Sequence, residues 1–247
     1  MVNKRLLYYL EINKIFSPFQ CGFRQARCTV DNLLVLETEI RNAFIRRQHT
    51  VAIVFDIEKA YDRSWRFGIL RDLYECNLRG DNINFIERQL QLAVNKIQQW
   101  STFHGFTFST DKTSCIHFYR KRRLHPEPEI LLGSQLITVV NEVKFLGITF
   151  DKKLTFRPHV IKLRKKLDKA LNILKVLSNT SWGASRTSLL RVYRAAILSK
   201  MDYGCVIYGS ARQSVFKILD PIHHSALRLC SRAFRTSPVE SLYVECC

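Results

Sequence analysis

Over 29–47 the apolar residues Val30, Leu33, Leu34, Ile40, Ala43 and Phe44 recur at intervals of three and four, with Glu37 on the same face. That spacing predicts an amphipathic helix, with Thr29 or Asp31 available as its N-cap. The period then changes. Val51, Ala52, Ile53, Val54 and Phe55 are apolar without a break, which predicts a short strand buried on both faces with Asp56 at its C-terminal end. Helical spacing returns over 63–74, and Gly80, Asp81 and Asn82 read as a turn. Ile86, Leu90, Ala93, Val94, Ile97 and Trp100 then line a further helix that stops before Gly105. Two strands are expected at 115–119 and 143–150, both pairing with 51–55. Between them lie a basic loop, Arg120, Lys121, Arg122 and Arg123, and a hairpin over 130–140 that turns at Gly133 and Ser134.

Beyond Asp151 the pattern is helical only. Val160, Leu163, Leu167, Ala170, Leu171, Leu174 and Leu177 mark one face of a long helix, and Lys162, Arg164, Lys165, Lys166, Lys169 and Lys175 occupy the other. Two more helices are predicted at 187–199 and 214–233, with Gly183 and Gly204 as breakers. The fold class is therefore α+β, in three consecutive segments: 1–50, a mixed 51–150, and an all-helical 151–247. No internal repeat or low-complexity stretch interrupts them.

The chain has 247 residues, 47% of them hydrophobic, enough to bury a core and to exclude global disorder. Its 39 Lys and Arg against 21 Asp and Glu give a formal charge of +18, spread from Lys4 to Arg235. Such a balance points to a polyanionic partner, a solvated basic surface being the alternative. The eight cysteines are scattered and form no CxxC, which fits reduced thiols and an intracellular setting, nucleus or cytoplasm. No basic-then-apolar leader opens the sequence, and no apolar run reaches the roughly 18 residues of a membrane-spanning helix, so no membrane partner is expected.

An acid at the mouth of a buried strand is costly unless it is paired, hydrogen-bonded or bound to a metal. The segment Phe55-Asp56-Ile57-Glu58-Lys59-Ala60-Tyr61-Asp62 is therefore the place to look for chemistry. A hard carboxylate oxygen there suits Mg²⁺, and equally Asp56 could cap the element that follows.

Three stretches in this order, Gln20-Cys21-Gly22-Phe23-Arg24, Thr29-Val30-Asp31-Asn32-Leu33 and the segment around Asp56, resemble the fingers and first palm motif of non-LTR, jockey-like retrotransposon reverse transcriptases. The resemblance continues through Leu90-Gln91, Ile97, Trp100, Gly105-Phe106, Phe108-Ser109 and Lys112-Thr113. It includes a primer-grip-like Phe145-Leu146-Gly147 and ends on Ser237-Pro238-Val239 with Ser241-Leu242-Tyr243. It implies a right-hand polymerase architecture: a fingers-like segment, a truncated palm and a helical thumb. It implies RNA-directed DNA polymerase activity with Mg²⁺ on an RNA template and DNA primer, or an RNA–DNA hybrid. By position, Asp56 resembles the first metal-binding aspartate, with the Ile57 carbonyl beside it, and Tyr61 the steric gate that excludes a 2′-hydroxyl. Core packing is the other reading of Tyr61. Lys112 resembles the lysine that assists pyrophosphate departure, and otherwise it is a solvated surface residue. Arg24 falls in the fingers. Lys162, Lys165, Lys166 and Lys169 lie on the thumb-like helix, where phosphate contacts track a duplex.

The sequence departs from that family at one place. Two-metal nucleotidyl transfer needs at least two carboxylates around ions about 4 Å apart, and the family supplies the others from an aromatic-x-Asp-Asp turn. This sequence contains no Asp-Asp pair. Residues 84–86 resemble the helix after the first motif, and 87–90 already resemble the region after the catalytic turn. The expectation is that the block between, including the template-contacting Pro-Gln-Gly segment, has been excised, and that the two flanks run on as one helix. Polymerase descent without activity, a non-catalytic nucleic-acid-binding module and an unselected transposon relic are the three resulting readings. An intact member would also carry an upstream endonuclease domain and sequence beyond Cys247.

Overall fold

A computed structural model describes residues 8, 11–12, 16–17, 19–22, 24, 26–56, 83–103, 105–120, 127–179 and 181–246, the side chains of 83–86 excepted. The helix expected over 63–74, the turn at 80–82 and residues 121–123 of the basic loop lie outside the described residues.

The first helix, α1 (Thr29–Ile45), buries Leu33 and Ile40 completely. Its N-cap is Cys28 rather than Thr29 or Asp31. Asp31 acts from inside the first turn, its Oδ2 accepting the Cys28 N–H at 2.8 Å. A carboxylate there satisfies an orphan donor and meets the positive end of the helix dipole.

Strand β1 (Thr50–Val54) pairs antiparallel with β2 (Ser114–Phe118), from Thr50 opposite Phe118 to Val54 opposite Ser114. Beyond β2 lies β5 (Thr138–Val139), parallel to it, in the order β1-β2-β5. The central strand β2 is almost wholly buried. By contrast β1 is half-buried along its length, not buried on both faces as its apolar run suggests, because among the described strands it has a neighbour on one side only. The stretch 143–150 does not join this sheet. Leu146 and Gly147 both adopt positive φ, 45° and 87°, as a two-residue hairpin turn requires. They divide it into β6 (Glu142–Phe145) and β7 (Ile148–Asp151), a sheet of two strands.

Helix α2 (Ile83–Phe103) runs unbroken through the junction at 84–88. Val94 packs with Cys115, Ile130, Leu132 and Ile137, and Val51, Ile53 and Phe55 of the β1 segment lie against this cluster. The hairpin of β3 (Leu131–Leu132) and β4 (Gln135–Leu136) turns at Gly133 as its sequence predicts. Two glutamines of α2 hold it. The Gln91 amide accepts the Leu131 N–H at 2.7 Å and donates to the Leu131 carbonyl at 2.9 Å, and Gln98 Oε1 accepts the Gly133 N–H at 2.8 Å.

The chain divides into two compact units. One comprises residues 1–147 with 151–153, and the other 148–150 with 154–247. The second is built on α3 (Arg157–Leu177), which Pro158 starts and which buries Val160, Leu163, Leu167, Ala170, Leu171 and Leu174. The helix expected at 187–199 is α4 (Arg186–Tyr193), continued by a π-helical turn (Arg194–Leu198) and α5 (Ser199–Asp202). Gly204, at φ 69°, ends it. The next expected helix is split into α7 (Gln213–Phe216) and α8 (Asp220–Ser231), the latter starting at Pro221. Two helices were not legible in the periodicity: α6 (Cys205–Tyr208) and α9 (Val239–Cys246). Helix α8 packs on α3, α4 and α9. Among the described residues no helix is long and apolar enough to cross a membrane.

Candidate catalytic site and nucleic-acid interface

Asp56 lies two residues past the end of β1. The Phe55 ring rests against Phe108, centroids 5.0 Å apart, and the Asp56 carbonyl accepts the Ser109 N–H at 2.9 Å. Ser109 opens a tight turn whose carbonyl receives both the N–H and the hydroxyl of Thr113, at 2.9 and 2.7 Å. That turn carries Lys112 and leads directly into β2. The ladder thus brings the two ends together, and Lys112 Nζ stands 3.5 Å from Asp56 Oδ2. Sequence position placed these residues 56 apart, and the fold makes them an ion pair.

Ile57 and Tyr61 lie outside the described residues. The fit of Mg²⁺ rests on what surrounds Asp56. Among the described residues, no group of three His, Cys, Asp or Glu side chains is arranged to hold a metal ion, and the Asp56 carboxylate is faced by an ammonium.

Arg24 turns inward. Its Nε and Nη2 bind both oxygens of Glu11 at 2.8 and 2.7 Å, and Nη1 donates to the Ser17 carbonyl at 2.7 Å. These hydrogen bonds from Arg24 hold the Glu11 carboxyl below its ordinary range, and Glu11 in turn raises Arg24. The guanidinium braces its own segment rather than facing solvent. By contrast Lys162, Lys165, Lys166 and Lys169 are all exposed on the polar face of α3.

Sequence reasoning missed a polar cluster at the opposite end of the β1–β2 ladder. His49 Nδ1 and His117 Nε2 are 3.0 Å apart, and both side chains are buried. His117 Nδ1 lies 3.8 Å from Glu127 Oε2, and Lys152 Nζ binds Glu127 Oε1 at 2.5 Å. The Tyr119 ring lies tilted beside His117, centroids 4.8 Å apart. The signal available was weak: one histidine in an apolar strand and one just before another, 68 residues away.

In the helical unit, buried His159 accepts the Thr149 N–H at its Nδ1 (3.3 Å) and lies 5.1 Å from the Tyr208 ring. Burial, reinforced by Lys166 and Lys162, pushes its pKa down to about 4, so the ring is neutral near pH 7. Burial likewise pushes the Cys115 and Cys230 thiols up to about 12, which leaves them unreactive.

No family model matches this chain, and no solved structure matches it. Several curated proteins do. A probable RNA-directed DNA polymerase from transposon X-element of Drosophila melanogaster is 20% identical over 306 aligned positions, which take in 93% of this chain and 33% of the relative. The RNA-directed DNA polymerase from mobile element jockey of the same organism is 26% identical across 61% of the chain and 17% of the relative. A Pol polyprotein from the type-1 retrotransposable element R1 of Bradysia coprophila is 31% identical across 49% of the chain and 12% of the relative. The chain thus spans a third or less of the length of these relatives. By these matches the chain is similar to RNA-directed DNA polymerases and Pol polyproteins of transposable elements.

Proposed function

We propose that this chain is a reverse transcriptase remnant: it keeps a nucleic-acid-binding helix and the strand of the first palm motif, and it has lost the centre for nucleotidyl transfer. The observation that carries this is that the sequence contains no Asp-Asp pair to complete a metal site with Asp56. In a working centre two cations would sit by this carboxylate, one lowering the pKa of the attacking 3′-hydroxyl and one holding the triphosphate. An aspartate without that paired acid gives neither ion a fixed position, so the attacking oxygen and the developing charge both go unstabilised.

Two further facts support the reading. The alignment to the X-element polymerase covers 306 positions, whereas 93% of this chain is only about 230 residues, so about 76 positions of the relative have no counterpart here. The BS-element polymerase, aligned over 307 positions with 92% of the chain, likewise has about 80 positions without a counterpart here. Helix α2 also runs without a break through 84–88, where the excision is inferred, as a junction that keeps the helical phase would. The expected partner is an RNA–DNA hybrid or primer–template, held through phosphates by the exposed lysines of α3.

The test is primer extension on an RNA template with Mg²⁺ or Mn²⁺, beside a version in which the missing block is restored from an intact relative. No extension is expected from the chain as it stands. Extension that disappears in Asp56→Asn would overturn the proposal, because another acid would then complete the metal site. Salt-dependent binding of hybrid would favour a retained nucleic-acid-binding role over the other reading, an unselected relic.

A further inference from the structure

On α3, residues 162, 166, 169, 173 and 176 follow one another at intervals of four and three, and so form a single stripe along the helix. The stripe is Lys162, Lys166 and Lys169, then Ile173 and Val176. The lysines are exposed, and so are the two apolar residues, at 59% and 60%. The face therefore changes from cationic to apolar partway along, without turning into the core.

Just past the helix end stands Trp182, 64% exposed. Its turn is tightly built. The Gly183 N–H donates to the Asn179 carbonyl at 3.0 Å and the Ala184 N–H to the Leu177 carbonyl at 2.8 Å. Asn179 Oδ1 accepts both the N–H and the hydroxyl of Ser181, each at 2.9 Å. A Cβ added to Gly183 would come within 2.0 Å of the Asn179 carbonyl oxygen, so this close return needs glycine. An indole is thus displayed on a closed turn at the apolar end of a lysine stripe. Surfaces that combine cations for the backbone with an aromatic face for bases suit nucleic acid, because every base offers a π-face.

We propose that Trp182 is a base-stacking platform: an unpaired base of a bound nucleic-acid strand stacks on its indole while Lys162, Lys166 and Lys169 neutralise the adjoining phosphates. The inference rests on reading α3 as the nucleic-acid contact. From Lys162 to Val176 the helix rises about 21 Å, the length of about six nucleotides at 3.4 Å each. The lysines would lie along a duplex and the tryptophan at its frayed or single-stranded end.

The test measures binding of the full chain to two RNA–DNA hybrids of about a dozen base pairs, one blunt and one with a short single-stranded overhang, across a salt series. In Trp182→Ala, affinity for the overhang substrate should fall about tenfold, the scale of one lost base–aromatic stack. Blunt-duplex binding and the salt slope should stay as in the wild type, and Trp182→Phe should recover most of the loss. Equal effects on both substrates, or none on the overhang, would overturn the platform. If replacing Lys162, Lys165, Lys166 and Lys169 by Gln leaves the salt slope unchanged, the reading of α3 fails and the platform with it. If that slope flattens while Trp182→Ala binds overhang like the wild type, the platform alone fails. Self-association lost in Trp182→Ala without an overhang effect overturns it too, and gives this face to a protein contact.

Discussion

Asp56 and Lys112 form an ion pair, Oδ2 to Nζ 3.5 Å, where the chain leaves one strand of the β1–β2 ladder and enters the other. Both side chains are well exposed, at 49% and 71%. Exposed pairs contribute about 0–1 kcal/mol, because water screens them and both side chains lose freedom in forming them. Asp56→Asn should therefore lower stability to urea by less than about 1 kcal/mol. A larger loss would mean that Asp56 is there to hold the fold rather than inherited from a metal site. Lys112→Met removes the internal cation but adds no second acid, so extension should stay undetectable in that variant.

The lysine face of α3 makes a quantitative forecast. If each of the four lysines displaces a counterion from one phosphate, replacing all four by Gln should reduce the slope of log affinity against log salt by about 3.6. Fluorescence anisotropy with labelled hybrid at several salt concentrations measures this directly. Because the four side chains are exposed, the fold should survive the change.

Arg24 should behave differently despite carrying the same charge. Its guanidinium is already engaged by Glu11 and by the Ser17 carbonyl. Arg24→Gln is expected to lower thermal stability while leaving the salt slope of hybrid binding where it was. A flattened slope would return Arg24 to the nucleic-acid contact that its place in the fingers-like motif implies.

His159 sets a pH dependence. Its folded pKa, about 4, lies below the ordinary 6.5, so the unfolded chain binds the proton more readily than the folded one. This group then costs no stability above pH 6.5, and stability is lost as the pH falls toward 4. His223, also depressed by burial and by His224, acts in the same direction. Unfolding temperatures measured from pH 7 to 4 should decline, and the decline should be shallower in His159→Gln. An identical pH profile in that variant would remove His159 as a cause.

How much of this was legible in the sequence follows from the range of the interactions. Helices α1, α2 and α3 announced themselves because amphipathic spacing is a local signal, and the turns at Gly133 and Gly204 because glycine relieves a local constraint. The third strand was misplaced because the sequence reading set 143–150 beside 51–55, whereas the third strand is a different segment and lies on the far side of β2. The Val143–Phe150 run is the more apolar, but Leu146 and Gly147 bend it into a hairpin and leave β2 to the shorter Thr138–Val139. The Asp56–Lys112 pair and the His49–His117 contact were out of reach for a related reason: each depends on the register of the β1–β2 ladder, which no single stretch of sequence records. Motif resemblance selected both Asp56 and Lys112, but as separate elements of a catalytic centre rather than as each other's counter-ions.

The glutamine that clamps β3 bears on how the chain behaves at high concentration. A strand edge with free N–H and C=O groups is a template on which another molecule can add a strand. On β3, Leu131 presents such an edge, and its own side chain is apolar and 45% exposed, which makes the edge more adhesive. The carboxamide of Gln91 occupies both backbone groups of Leu131. A side chain here takes the place of a neighbouring strand, so neither backbone group of Leu131 is left free to pair with another molecule.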